Sequence, residues 1–231
     1  MIKSPKLRRI YTYVVPHFIR GRLEVWIAGR YPKIFDEKKF VFIHIPKTAG
    51  KSIGKLIGLR GACHLTMAEY EEIIGRERLK EYFLFSVVRD PAEKIVSAWN
   101  YIMTGGNQSK EDIELRGELL SVSSNLEDFI TDQLGRNRYL NHRLFKSQKD
   151  YLSFSDGHIP ENLYLIHINH LSEGLEALPE RVLRACVKLP HENRSRTAVP
   201  GLSANARQIL VEVYRQDYEM IERLQSESKF L

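Results

Sequence analysis

Six consecutive residues, Lys47-Thr48-Ala49-Gly50-Lys51-Ser52, combine two lysines, two hydroxyls and a glycine just after Pro46, at which the apolar run Phe40–Ile45 stops. Lysine supplies a mobile positive charge, and hydroxyls donate hydrogen bonds. Glycine lets a ligand approach the backbone closely. Where such a turn enters a helix, unpaired N–H groups and the helix dipole add further positive potential, so the chemistry it suits is anion binding, with phosphate as the natural guest. Its end fits the nucleotide-triphosphate loop GxxxxGK[ST], but the position of that motif's first glycine holds Ile45, and Pro46 follows. A phosphate loop of a related but different kind is expected.

A second basic residue, Arg89, follows the apolar run Tyr82–Val88, and Ser97 lies two turns into the next segment. Arginine can grip a second phosphate with paired hydrogen bonds. Asp90-Pro91-Ala92-Glu93 reads as a helix start with Asp90 as its cap, and Trp99 reads as core.

For these groups to meet, strands must carry them to one rim. Phe40–Ile45, Tyr82–Val88 and Leu163–Ile168 are apolar on nearly every residue, as buried parallel strands are. Helices are expected over Ser52–Leu59, from a Thr66–Glu69 capping box to about Lys80, from Pro91, over Ser124–Leu134, over Ser172–Cys186 with an interruption at Pro179, and over Ser203–Leu224. Residues 104–123, polar and with Gly105-Gly106, read as an excursion from the core. Strand alternates with helix, which predicts an α/β domain: a P-loop-like, three-layer fold with a central parallel sheet flanked by helices. Lys47 and Arg89 then share the carboxyl rim where such sheets bind ligands.

Composition narrows the function. Of 231 residues, 43% are hydrophobic and 28% charged, an ordinary globular balance. The net charge is +6, and residues 1–30 carry seven Lys or Arg against one acid, Glu24. The rest is near neutral, which argues against a broad nucleic-acid-binding face. The plan expected is a basic arm over 1–30 and one domain over 31–231. Two distant cysteines, Cys63 and Cys186, give no disulfide framework or zinc spacing. His167 and His170 share no strand face and have no third partner, so no metal site is expected. No apolar run reaches the length of a membrane span.

"HIPKTAGKS" and "VVRDPAEKIVSAW" together resemble the two cofactor motifs of the sulfotransferases, specifically the carbohydrate (heparan sulfate 2-O-sulfotransferase-like) group. The resemblance implies 3'-phosphoadenosine-5'-phosphosulfate (PAPS) as co-substrate, with no metal. It implies that Lys47, Thr48, Ala49, Gly50, Lys51 and Ser52 surround the 5'-phosphosulfate and that Arg89 and Ser97 take the 3'-phosphate. "LPHENRS" is similar to a late basic loop of the family, through which Arg194 and Ser195 reach the nucleotide. "NHRLFKSQKDYL" is similar to a middle segment, in which His142, Arg143 and Gln148 are acceptor-site candidates. Lys51 stands where family members carry Thr or Ser, and in "HINHL" Asn169 stands where they carry Glu.

Sulfuryl transfer needs a base for the acceptor hydroxyl and positive charge at the transferred and leaving groups. By charge and resemblance Lys47 serves the latter. His64, just before the Thr66 cap, is the base expected, with His142 the runner-up. His44, on a buried strand, reads as structural, and Cys63 as packing. The acceptor implied is a carbohydrate or glycolipid hydroxyl. A bacterial cytoplasmic enzyme is expected. Pro16 and Gly21 interrupt any long amphipathic helix in the basic arm, which therefore reads first as packing on the domain with its charges in water, and second as a segment able to meet the anionic inner membrane face. Two other readings compete: a P-loop nucleotide kinase or triphosphatase, and a non-catalytic nucleotide-binding partner module.

Overall fold

The computed structural model describes residues 31–59, 61, 63–183 and 201–226. The basic arm, Cys186, Arg194 and Ser195 lie outside the described residues.

Three strands, β1 (Phe40–Ile43), β2 (Phe83–Val88) and β3 (Leu163–His167), form a parallel sheet in the order β1-β2-β3. Phe40 pairs with Phe83 and Ile43 with Ser86; Leu84 pairs with Leu163 and Val88 with His167. All four residues of β1 are buried, as strands covered on both faces require. The expected α/β class is observed. β1 is two residues shorter than expected, because His44 and Ile45 leave the ladder ahead of Pro46, which has no N–H to give it.

A short helix, α1 (Ile34–Lys38), precedes β1, and α2 (Gly50–Ile57) follows it. Thr66 opens α3 (Met67–Ile74) through the expected capping box: its Oγ1 accepts from the Glu69 N–H, and Glu69 accepts from the Thr66 N–H at 2.7 Å. The helix does not run unbroken to Lys80. Gly75, at φ 92°, splits off α4 (Arg76–Leu79). Asp90 caps α5 (Pro91–Met103) as expected, accepting from the Glu93 N–H at 2.9 Å.

Residues 104–123 are a correction. They hold a helix, α6 (Lys110–Val122), capped by Ser109 and buried through Asp112, Leu115 and Leu119. Ile113, Leu120 and Val122 are exposed on the same helix, and a buried carboxylate interrupts its apolar face, so the helical period is blurred in the sequence. The segment expected at 124–134 comprises α7 (Leu126–Asp128), a π turn over Phe129–Gln133 and a 3-10 turn over Leu134–Arg136.

After α8 (Gln148–Leu152) and β3, α9 (Leu171–Glu176) stops ahead of Pro179 rather than passing it. The C-terminal helix is two, α10 (Ala204–Val213) and α11 (Arg215–Ser226). Tyr214, buried between them, donates its hydroxyl to the Phe145 carbonyl at 2.6 Å, and that anchor breaks the run.

The apolar interior has two parts. One surrounds the sheet. The other joins α5, α6, the π turn, Phe145 and α10, with Trp99 in it as expected. Residues of the turn after β1 meet Tyr101 of α5 and Asn107 of the loop that leads to α6.

Candidate active site

The turn after β1 is held in an unusual backbone shape. Lys47 and Ala49 have φ of 72° and 64°, a region that costs non-glycine residues about 1 kcal/mol each. Such turns gather backbone N–H groups into a concave, anion-binding nest. Among the described residues no acceptor takes the N–H of Gly50 or Lys51, whereas Ser52 already donates to the Ala49 carbonyl at 3.0 Å. Thr48 is fully buried, and its hydroxyl donates to the Ile45 carbonyl at 2.9 Å. Its side chain therefore holds the turn closed.

Gly50 has no room for a side chain. A Cβ there would lie 1.8 Å from the His44 ring. His44 is buried, stacks on Phe42, and contacts the His64 ring at 4.1 Å between centroids. Burial, with His64 and Lys51 nearby, lowers its pKa to about 3, so it is neutral and structural, as expected.

His64 Nδ1 lies 3.1 Å from the His44 carbonyl oxygen. A carbonyl only accepts, so Nδ1 carries the proton and Nε2 keeps the lone pair. Burial first, then the charges of Arg143 and Lys51, holds the imidazole below its usual range, against the opposing hydrogen bond to His44. His142 has the opposite arrangement. Its Nδ1 accepts from the Leu144 N–H at 3.3 Å, which leaves a proton on Nε2. Of these two histidines, only His64 presents a free basic nitrogen.

The two turn lysines converge on α5. Lys47 Nζ lies 4.3 Å above the Tyr101 ring and Lys51 Nζ 5.9 Å from it. Lys51 also donates to Asn107 Oδ1 at 2.8 Å. Lys47 makes no ion pair among the described residues, and burial, Lys51 and Arg89 lower its pKa to about 8. Lys47 and Lys51, crowded together near Arg89 and ion-paired with no carboxylate among the described residues, are what an anionic ligand would relieve.

Arg89 is largely buried at the end of β2. Its Nε donates to Glu93 at 3.1 Å, and a second guanidinium nitrogen lies 3.5 Å from the Lys47 carbonyl. The Arg89 side chain thus spans from α5 to the turn. Ser97 is half-buried one turn beyond Glu93 on the same helix. Arg143 reaches Asp112 at 3.1 Å and enters the electrostatics of His64. Lys47, Lys51, Arg89, His64 and Arg143 are thereby brought together. Gln148 is set apart: it is fully buried, and its amide bonds the Arg89 backbone on both sides.

Sequence reading missed Tyr101, Asn107, Asp112 and Glu93. Asp112 accepts from the Tyr101 hydroxyl at 2.7 Å, the Asn107 N–H at 2.8 Å and Arg143. Burial opposes its charge, but these donors hold the carboxyl below the usual range. A signal existed for two of them: Glu93, Ser97 and Tyr101 repeat every four residues after Arg89, one stripe of α5.

Residues 32–130 match a family model described as Sulfotransferase family. The match takes in the lysine turn, Arg89, Ser97 and Tyr101, and ends before His142. It supports sulfuryl transfer as the general chemistry of this sulfotransferase-like region. No curated protein and no solved structure matches the chain. Among the described residues no cluster of three His, Cys, Asp or Glu could hold a metal ion, and no helix is long and apolar enough to cross a membrane.

Proposed function

We propose that the protein transfers a sulfuryl group from PAPS to a carbohydrate hydroxyl. The observation that carries this reading is the His44 carbonyl contact that leaves the lone pair on His64 Nε2, beside a lysine turn with N–H groups that have no acceptor among the described residues. The residues suit the co-substrate. Gly50 and Lys51 N–H, Lys47 and Lys51 Nζ and the Ser52 hydroxyl suit the 5'-phosphosulfate, with Thr48 and Ala49 shaping the turn. Arg89 and Ser97 suit the 3'-phosphate, and Arg194 and Ser195 remain candidates for it. PAPS supplies the activated sulfuryl group. His64 Nε2 takes the hydroxyl proton as the acceptor oxygen bonds to sulfur. The bond from sulfur to the phosphate oxygen breaks, and Lys47 balances the charge left on that oxygen.

His142 and Arg143 flank the acceptor side in this reading, His142 as a hydrogen-bond donor. A carbohydrate or glycolipid acceptor, a cytoplasmic setting and contact of the 1–30 arm with anionic membrane belong to the same proposal. Vesicle cosedimentation with and without that arm tests the last, and equal behaviour of the two forms removes it.

Calorimetric titration with adenosine 3',5'-bisphosphate against ATP plus magnesium decides the donor. Tight bisphosphate binding, weakened by Arg89→Ala, is expected. Preference for ATP with magnesium would establish the kinase reading instead. Bisphosphate binding without transfer to any hydroxyl acceptor would leave the partner module.

A further inference from the structure

We infer that Gln148 is a positioning residue for Arg89, and through it for the 3'-phosphate of the nucleotide. The inference rests on the PAPS reading above. β2 pairs with β3 only as far as Val88, opposite His167. Arg89 is therefore one residue beyond the ladder, buried, with a backbone donor and acceptor that need partners. The Gln148 side chain supplies both. The Arg89 N–H donates to Gln148 Oε1 at 2.9 Å, and Gln148 Nε2 donates to the Arg89 carbonyl at 2.6 Å. A primary amide thus takes the place of a strand and extends β2 by one rung.

Gln148 is itself fixed. The buried Asp217 carboxylate, on α11, accepts from the Gln148 N–H at 2.9 Å, the Lys149 N–H at 2.9 Å and the Ser147 hydroxyl at 2.7 Å. The buried Lys94 ammonium, on α5, donates to the Leu144 and Lys146 carbonyls at 3.1 and 2.9 Å. The segment that presents Gln148 is held from two helices. With its backbone set by Gln148 and its guanidinium held by Glu93 and the Lys47 carbonyl, Arg89 has a fixed course across the rim. Its remaining N–H groups, which have no described partner, then keep one direction.

Two nucleotides separate positioning from general support: adenosine 3',5'-bisphosphate, and adenosine 5'-monophosphate, which lacks the phosphate that Arg89 would hold. Gln148→Leu and the shorter amide Gln148→Asn are titrated with both. Asparagine keeps a donor and an acceptor but is one methylene shorter, so it cannot hold both backbone groups of Arg89 as glutamine does. That variant introduces no buried charge, is the milder change and keeps the test open where leucine prevents folding. The expected result is bisphosphate binding about tenfold weaker for leucine, less so for asparagine, with monophosphate binding unchanged. In an Arg89→Ala background, Gln148→Leu should add nothing. Equal losses for the two nucleotides, or none for either, would overturn the inference. If Arg89→Ala weakens the bisphosphate while the Gln148 variants do not, the inference alone is wrong. If Arg89→Ala leaves bisphosphate binding intact, the 3'-phosphate reading fails and takes the inference with it.

Discussion

Nucleotide binding should draw a proton onto Lys47. Its pKa of about 8 reflects burial and the charges of Lys51 and Arg89, with only Asp112 opposing them. A bound phosphosulfate or bisphosphate reverses the electrostatic part of that balance and favours the ammonium. A lysine returned to its ordinary range is fully protonated below pH 9. Binding then takes up about 0.1 proton at pH 7, about 0.5 at pH 8 and about 0.9 at pH 9. By linkage, affinity for adenosine 3',5'-bisphosphate should fall about tenfold from pH 7 to pH 9. Calorimetry in buffers of different ionisation enthalpy reads the uptake directly. His64 titrates below the usual imidazole range and is silent in this window. Lys94 also has a pKa of about 8, but it is buried with its ammonium on two carbonyls, away from the turn. Lys47→Arg is the control, since it keeps the charge and should abolish the uptake. Bisphosphate binding with no proton uptake at pH 8 to 9, or uptake that survives in Lys47→Arg, would refute the placement of the anion at Lys47.

Other outcomes follow from the same geometry. His64→Ala should lower transfer about 10²- to 10⁴-fold while leaving bisphosphate binding intact; a variant with unimpaired turnover removes His64 as base. In the wild type, kcat/KM should rise with pH on a limb below the usual imidazole range, as His64 loses its proton, and fall near pH 8 as Lys47 becomes neutral. A flat profile from pH 5 to 9 contradicts both assignments. Gly50→Ala drives a methyl group into the His44 ring and should cost about 1–3 kcal/mol in a urea melt; pairing it with His44→Ala should recover part of that loss. Asp217→Ala strands three donors around a buried site and should cost about 3 kcal/mol, against less than 1 kcal/mol for a surface change such as Glu222→Ala measured in the same way.

The parts of the fold legible in the sequence were those set by local rules. Apolar runs marked all three strands to within two residues, and the Thr66 and Asp90 caps placed their helices. α6 was hidden because its buried stripe contains a carboxylate, and the C-terminal break because Tyr214 is held by a residue far away in sequence, Phe145. The site divides in the same way. Lys47 and Arg89 stand out as charges at the ends of apolar strands. The roles of Asp112 and Gln148 depend on partners 31 and 59 residues distant, Arg143 and Arg89, and no local pattern encodes those pairings.

His44 links the two halves of the proposed chemistry. It is the first residue after β1, so its backbone position is set by the sheet. Its carbonyl fixes the proton on His64 Nδ1, and its ring occupies the space that a side chain at position 50 would need. The glycine is required by that ring, since α2 begins at Gly50 and a helix start imposes no glycine of its own. His64 and the lysine turn are therefore registered to each other through a single buried residue, by its carbonyl and by its ring, and a pKa of about 3 keeps that ring neutral. His44→Ala keeps that carbonyl but removes the ring that packs on the His64 imidazole and walls the lysine turn at Gly50. Binding and proton transfer should then weaken together after His44→Ala, but separately after Arg89→Ala or His64→Ala.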